Sequence, residues 1–308
     1  MINKKLAVHL HFYLLSSIST AMSATEILYL ATQCSIYSPW FNIIFGLIGN
    51  IINLLVFTQL KLFRNNRSAF YITTETISNF LYELFFLCSS ILTIIYGDDA
   101  SGRSLFWCKF RYMLNHPLIL MNGYMISCSA MDQYFSTNYR VYQRQICTIK
   151  LARIIVYTCI FVSIGHSIAF GLAYDIQPSV GCVISNPIWV HYSSYVYYPF
   201  IIGLLPICIS SLFSVLAYRN VRRIVRRQIP IVRRRLDKQM TALVLIRVIM
   251  FVCLGLPYNT YRIYAINFPI PRIKAMEYAV GKLINSLFLF FVGLNFTVSL
   301  FKNHKSFE

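Results

Sequence analysis

Long, sparsely charged apolar runs separated by short polar segments set the pattern of this chain. Seven runs stand out, at residues 37–60, 70–95, 108–134, 151–173, 195–218, 239–261 and 276–301. A bilayer core of about 30 Å needs roughly 20 apolar residues as a helix, so each run predicts a membrane-crossing helix. The third run opens on Cys108 and closes on Asp132-Gln133-Tyr134. At about 1.5 Å per residue, Cys108 and Asp132 lie roughly 36 Å apart, on opposite sides of a membrane. The expected fold is an all-α membrane protein, a seven-transmembrane helix bundle.

Composition agrees: 57% of the residues are hydrophobic and 12% charged, against about 25% charged in a soluble domain. The net charge of +18 matters through its placement. Basic residues crowd the connections after the first run (Lys61, Arg64, Arg67), the third (Arg140, Arg144, Lys150, Arg153) and the fifth, where RNVRRIVRRQIPIVRRRLDK carries eight arginines. The alternate connections carry few. Because cytoplasmic loops gather Lys and Arg, the amino terminus is expected outside, with Cys108 and Cys182 outside and Asp132 inside. The basic collar then meets anionic membrane lipids or a cytoplasmic protein partner, and nucleic acid falls away as a partner. Residues 1–35 read as an extracellular tail or a signal segment ending near Ala24, residues 36–301 as the helical domain, and 302–308 as a short cytoplasmic tail.

Polar groups at membrane depth must face protein or water. Asn50 and Asn53 lie in the first run, and Glu75, Asn79 and Glu83 follow at steps of four in the second, stacked on one helical face that should look inward. Glu75 lies about one turn inward of Asn79, and Arg247 about three turns inward of Pro257. Equal depth predicts an intramembrane ion pair between them; the alternative is that Arg247 snorkels to the inner headgroups. Pro199, Pro206 and Pro257 are expected to mark kinks, and His116-Pro117 reads as a packing and kink feature. Asn66-Arg67-Ser68 is a glycosylation sequon expected to be silent on the cytoplasmic side. Cys34 is a further candidate for the outer side, while Cys88, Cys128, Cys159, Cys208 and Cys253 read as membrane-buried thiols. No cluster has metal-ligand spacing and no nucleophile has a neighbouring base, so neither catalysis nor a metal or cofactor is expected.

From Gly46 to Asn295 the chain resembles a rhodopsin-like (class A) seven-transmembrane G-protein-coupled receptor. The resemblance rests on Gly49-Asn50, on Cys108 at its spacing from Asp132 and Tyr134, on Cys182 in the second outer loop, on Pro206, and on Phe251 with Pro257. The wider wording, RRRLDKQMTALVL into LPY, is similar to invertebrate orphan and peptide-receptor-like members. The resemblance implies a plasma-membrane receptor with a Cys108–Cys182 disulfide. It also implies a heterotrimeric G protein as partner, with Asp132, Gln133, Tyr134, Asp237, Phe251 and Pro257 forming the coupling and switch region. Asn50, Glu75, Asn79, Arg247 and Asn295 are the expected polar core of the bundle.

The departures are specific. Gln133 stands where the family has an arginine that pairs with its neighbouring aspartate and with an acid corresponding to Asp237. A neutral Gln133 makes at most a hydrogen bond there. Asn79 replaces the family's sodium-binding aspartate, so no bound sodium is expected. Gly255 replaces the tryptophan two residues before Pro257. The seventh run aligns at Asn295 through Ser299, or at Asn285-Ser286, and lacks the family's proline and tyrosine. Coupling is therefore expected to be impaired.

For the ligand, amine receptors of the family place an aspartate where this chain has Asn115, which disfavours an amine. Lys282 lies thirteen residues before Asn295, not the six or so that holds retinal, which disfavours an opsin. The outer ends carry Lys109, Arg111, Arg262, Arg272, Lys274 and Lys282, with Tyr192, Tyr195, Tyr197 and Tyr198 in the second outer loop. A pocket of Arg111, Asn115, Tyr261 and Lys282 is expected to take a peptide through an acidic or C-terminal carboxylate group. The tyrosines alternatively form an interfacial belt. A multi-span transporter or channel subunit, or a non-signalling decoy receptor, are the competing classes; seven spans do not divide into the equal repeats of the former.

Overall fold

The computed structural model describes residues 22–59, 66–96, 100–138, 141–146, 148–224, 231–271 and 273–297 of the 308. Seven long helices cross in one bundle: α1 (Ala24–Gln59), α2 (Arg67–Tyr96), α3 (Leu105–Ser136), α4 (Ile149–Leu172), α5, α6 (Ile231–Asn267) and α7 (Ala275–Thr297). α5 runs without a break through Pro187–Tyr192, Ser193–Leu204 and Leu205–Ile224. Six of them carry an apolar stretch long enough to cross a membrane. α3 has the length but is less apolar, because it packs against α2, α4, α5 and α6 and so presents little surface to lipid. The other helices turn apolar side chains outward, such as Phe161 at 81% exposure and Ile154 at 62%, which is the surface a bilayer requires.

Local chemistry starts the first four helices. Asn66 Oδ1 accepts the backbone N–H groups of Ser68 at 2.9 Å and Ala69 at 3.3 Å, capping α2. Ser104 caps α3 through Trp107 N–H, and Thr148 caps α4 through Leu151 N–H. α1 begins at Ala24, well before the expected start near residue 37. The reason is a reciprocal cap in which Ser23 N–H donates to Glu26 at 2.7 Å while Glu26 N–H donates to Ser23 Oγ at 3.3 Å. The added turns bury Ile27 against Ala279 and Val280 of α7.

Between α4 and α5 the chain forms an antiparallel hairpin, β1 (Tyr174–Gln177) and β2 (Gly181–Ile184), with Ile176 opposite Cys182. Gly181 opens β2 at φ 90°, a conformation that favours glycine. Cys182 is disulfide-bonded to Cys108 in the first turn of α3, with 5.8 Å between their Cα atoms. The bond fixes the hairpin over this end of the bundle.

Within α5, Ser193–Leu204 is wound as a π-helix that carries Pro199. Its wide turns bring two consecutive residues inward, and Tyr197 and Tyr198 are 0% and 3% exposed. These two tyrosines therefore belong to α5 and the bundle core, not to a loop or an interfacial belt. Tyr195 remains 58% exposed, as a belt residue would be. Of the thiols read as membrane-buried, protein buries Cys128, while Cys88, Cys208 and Cys253 lie on the outer surface of the helices.

Candidate functional site

At the disulfide end a cavity of about 290 Å³ opens between α3, α5, α6 and α7, beneath β2. Arg111, Asn115, Tyr261 and Lys282, expected to line one pocket, all line it, and so does Arg262. Among the described residues, no Asp or Glu lines it. Six tyrosines, Tyr112, Tyr198, Tyr258, Tyr261, Tyr264 and Tyr278, are part of the wall. Arg262 donates to the Tyr198 hydroxyl from Nε at 3.4 Å and from Nη2 at 3.3 Å. Tyr261 donates to the Gly281 carbonyl at 2.8 Å, joining α6 to α7. The Lys282 ammonium lies 5.8 Å from the centre of the Tyr278 ring, within cation–π range. His116, 3% exposed, sits among the rings of Tyr112, Phe170 and Tyr197 at 5.6, 4.7 and 5.2 Å.

Sequence reasoning named Arg262 as an outer cation but left it out of the pocket. The available signal was helical spacing: Tyr258, Tyr261, Arg262 and Ala265 recur at three- and four-residue steps on one face of α6.

A second cavity, about 360 Å³, lies between α1, α2 and α7. Arg111, Tyr278, Lys282, Asn285 and Leu289 line both cavities, so the two meet at a shared wall. Hydroxyls dominate the rest of the second chamber, and here too no Asp or Glu is among the described lining residues. Ser89 is 6% exposed, and its Oγ has no hydrogen-bond partner in the protein.

Polar side chains link the middle of the bundle. Asn295 donates to Asn122 Oδ1 at 3.2 Å, and Asn122 donates to Asn79 Oδ1 at 2.8 Å, joining α7, α3 and α2. Asn50 Nδ2 reaches the Phe296 carbonyl at 3.3 Å. Asn122 appeared in no sequence expectation, although it lies on the buried side of α3. Nearer the end opposite the disulfide, Arg247 Nη1 of α6 lies 2.7 Å from Glu75 Oε2 of α2, both side chains buried. The structure thus brings together the two charges that depth counting paired.

At that opposite end Asp132 meets Arg67 Nε at 3.3 Å and accepts from Ser68 Oγ at 2.6 Å. Arg67 had been assigned to the basic connection; in the folded chain it is the first residue of α2 and supplies a cation to Asp132. Gln133 Nε2 donates to Thr241 Oγ1 of α6 at 2.8 Å, one turn along α6 from Asp237. The side chain of Asp237 lies outside the described residues. Tyr134 packs on Phe213 of α5, ring centres 5.4 Å apart. Phe251 is buried against α3 at Gly123, where an added Cβ would stand 3.3 Å from its ring. α6 continues as a helix through Pro257. Asn66 caps α2 and Ser68 is buried against Asp132, so the sequon residues are occupied structurally.

Among the described residues, no group of three or more His, Cys, Asp or Glu side chains is placed to hold a metal ion. What the arrangement can do is bind. It offers a basic, aromatic cavity at one end and cross-helix ties at the other, in a bundle whose two ends are joined by rigid helices. A disulfide-braced membrane bundle of this kind is a transmembrane receptor scaffold. The sequence profile described as 7 transmembrane receptor (rhodopsin family) matches residues 49–301, and the chain belongs to that family, as a multi-pass protein of the plasma membrane. No curated protein matches the chain.

Proposed function

We propose that this chain is a G-protein-coupled receptor whose disulfide end faces the outside and binds a negatively charged extracellular ligand, a peptide in preference to an amine. The basic loops support this orientation, since Lys and Arg gather on the cytoplasmic side and the Asp132 end lies with them. The observation that carries the ligand reading is the cavity with Arg262 and Lys282 in its wall, together with Arg111, and no Asp or Glu among its described lining residues. Like charges around a protein-walled cavity are weakly screened, so they attract an anion and repel a protonated amine. The tyrosines add flat apolar surface and hydroxyls, suited to a peptide backbone and its side chains.

Ligand binding biases a two-state bundle by stabilising one arrangement of the helices over the other. A heterotrimeric G protein reads that arrangement at the Asp132 end, where α6 is held through Gln133–Thr241 and Glu75–Arg247. Gln133 offers a hydrogen bond where the family has a charge, so coupling is weak. The test is basal nucleotide exchange in cells with surface delivery controlled, comparing the native chain with Gln133→Arg. Activity in either version at matched surface levels supports a receptor. Two silent versions, both fully delivered, would sink the signalling half of the proposal. The ligand half is tested on purified receptor: acidic peptide pools raise the melting midpoint and protonated amines do not. The opposite order would overturn it.

A further inference from the structure

We infer that the chamber between α1, α2 and α7 is a subsite for a primary carboxamide carried by the ligand, either an amidated C-terminus or the side chain of an Asn or Gln. This rests on the peptide reading above and adds to it which uncharged group is recognised and where.

The reason is where the hydroxyl hydrogens of the chamber go. A Ser or Thr hydroxyl has one hydrogen to donate and two lone pairs that accept. Thr32 donates to the Leu28 carbonyl at 2.9 Å and Thr93 to the Ser89 carbonyl at 3.0 Å, each within its own helix. Ser90 of α2 donates to the Ile36 carbonyl of α1 at 3.4 Å. The Ser35 and Ser286 hydroxyls lie 2.7 Å apart, and each also reaches a carbonyl at 2.9 Å, that of Ala31 for Ser35 and that of Lys282 for Ser286. A carbonyl oxygen can only accept, so these hydrogens are committed inside the protein. All five hydroxyls line the chamber, and what they offer its contents is lone pairs.

A wall of acceptors selects donors. A carboxylate has none, and its oxygens would face the lone pairs of the wall. An ammonium has three, but Lys282 also lines the chamber and repels it. A primary carboxamide carries two N–H donors, one carbonyl oxygen and no charge. Its NH2 group meets hydroxyls of α1 and α2, while its oxygen accepts from the Lys282 ammonium or from Ser89, a buried hydroxyl that lines the chamber and has no partner in the protein. The match matters because a polar group left unmet in a closed site costs free energy. At about 360 Å³ the chamber holds the group with its stem. The wall it shares with the tyrosine-lined cavity leaves the anionic part of the peptide there.

The experiment uses the purified full-length chain and pentapeptide pools that all carry an upstream Asp or Glu. The first set lacks Asn and Gln and is made both as the C-terminal amide and as the free acid. The second set is free acid with one Asn or Gln added. The readout is the concentration that gives half the maximal rise in melting midpoint. Amides of the first set, or the Asn and Gln pools of the second, are expected to act at concentrations about tenfold or more below the plain free acid, and which set does so names the source. Because the cations of the wall favour the acid, a preference for the amide is not a charge effect. Thr32→Val and Thr93→Val keep the side-chain shape and remove an acceptor from α1 and from α2. Each should shrink the carboxamide preference about threefold or more and leave the plain acid pools unchanged, and the ligand-free melting midpoint reports that the bundle is intact.

Plain free acids acting at the same or lower concentration than both carboxamide sets would overturn the inference and leave the peptide reading standing. So would a carboxamide preference that survives undiminished in both valine variants. If no pool shifts the midpoint, the peptide reading falls and this inference falls with it.

Discussion

At the disulfide end Arg111, Arg262 and Lys282 line a cavity with no Asp or Glu among its described lining residues, whereas toward the other end Glu75 and Asp132 each have a guanidinium at 2.7 and 3.3 Å. The same residue types serve opposite ends because of what stands beside them. Where acid and base are paired across α2, α3 and α6, the bundle satisfies its own charges and gains ties between helices. Where cations and tyrosines line the cavity, the wall is suited to an anion brought by another molecule. A chain with three cations near one cavity and two acid–base pairs beyond it therefore separates a region that recognises from a region that holds.

Removing one charge at a time distinguishes the two regions. The largest effect is expected at Glu75→Ala, which leaves the Arg247 guanidinium without its carboxylate in the membrane interior. The loss should be about 3–5 kcal/mol of stability, read from thermal unfolding of the purified receptor. The double exchange Glu75→Arg with Arg247→Glu should recover a good part of what either single exchange loses. If it does no better than the singles, the pair is not an energetic unit.

Arg67→Ala should cost less, about 1.5–3 kcal/mol, because Arg67 is partly exposed at 19% and Asp132 keeps its Ser68 donor. Its signature is a looser contact between α2 and α3, seen as faster hydrogen exchange at the start of α2. The smallest effect, and the one of opposite sign, is expected at Lys282→Gln. Thinning the cluster of like charges in the ligand-free cavity should leave stability unchanged or raise it by about 0.5 kcal/mol. A loss there as large as at Arg67 would erase the distinction between the regions.

Much of this arrangement was legible in the sequence wherever a helix acts as a ruler. The seven spans, the inward face of Glu75, Asn79 and Glu83, and the nearness of Glu75 to Arg247 follow from rise and period alone. Arg111, Asn115, Tyr261 and Lys282 converge for the same reason. Legibility failed at the ends of helices and between them. Ser23-Ala24-Thr25-Glu26 carries the capping pattern that starts α1, but it sits at the edge of an ambiguous apolar run. Arg67 reads as one more basic loop residue, and only the cap at Asn66 turns it toward Asp132. The hairpin was hidden because two four-residue strands give too few alternations to register, and its position is imposed by the disulfide. Asn122 was not singled out, although Asn50, Asn53, Asn79 and Asn295 were, because a lone amide in an apolar run does not show which helices it joins.

The wound-out stretch of α5 bears on how this chain is compared with others. Across Ser193–Leu204 each turn takes in more residues than an α-helical turn, so the phase of the helix before it does not carry through to Leu205–Ile224. A face assigned by counting at the ordinary period from Tyr192 will be wrong by the time it reaches Ser210 and Ser214, which are buried. Alignments and scanning substitutions on this helix need two separate origins, one on either side of the stretch. On α5, residue number is not a measure of depth.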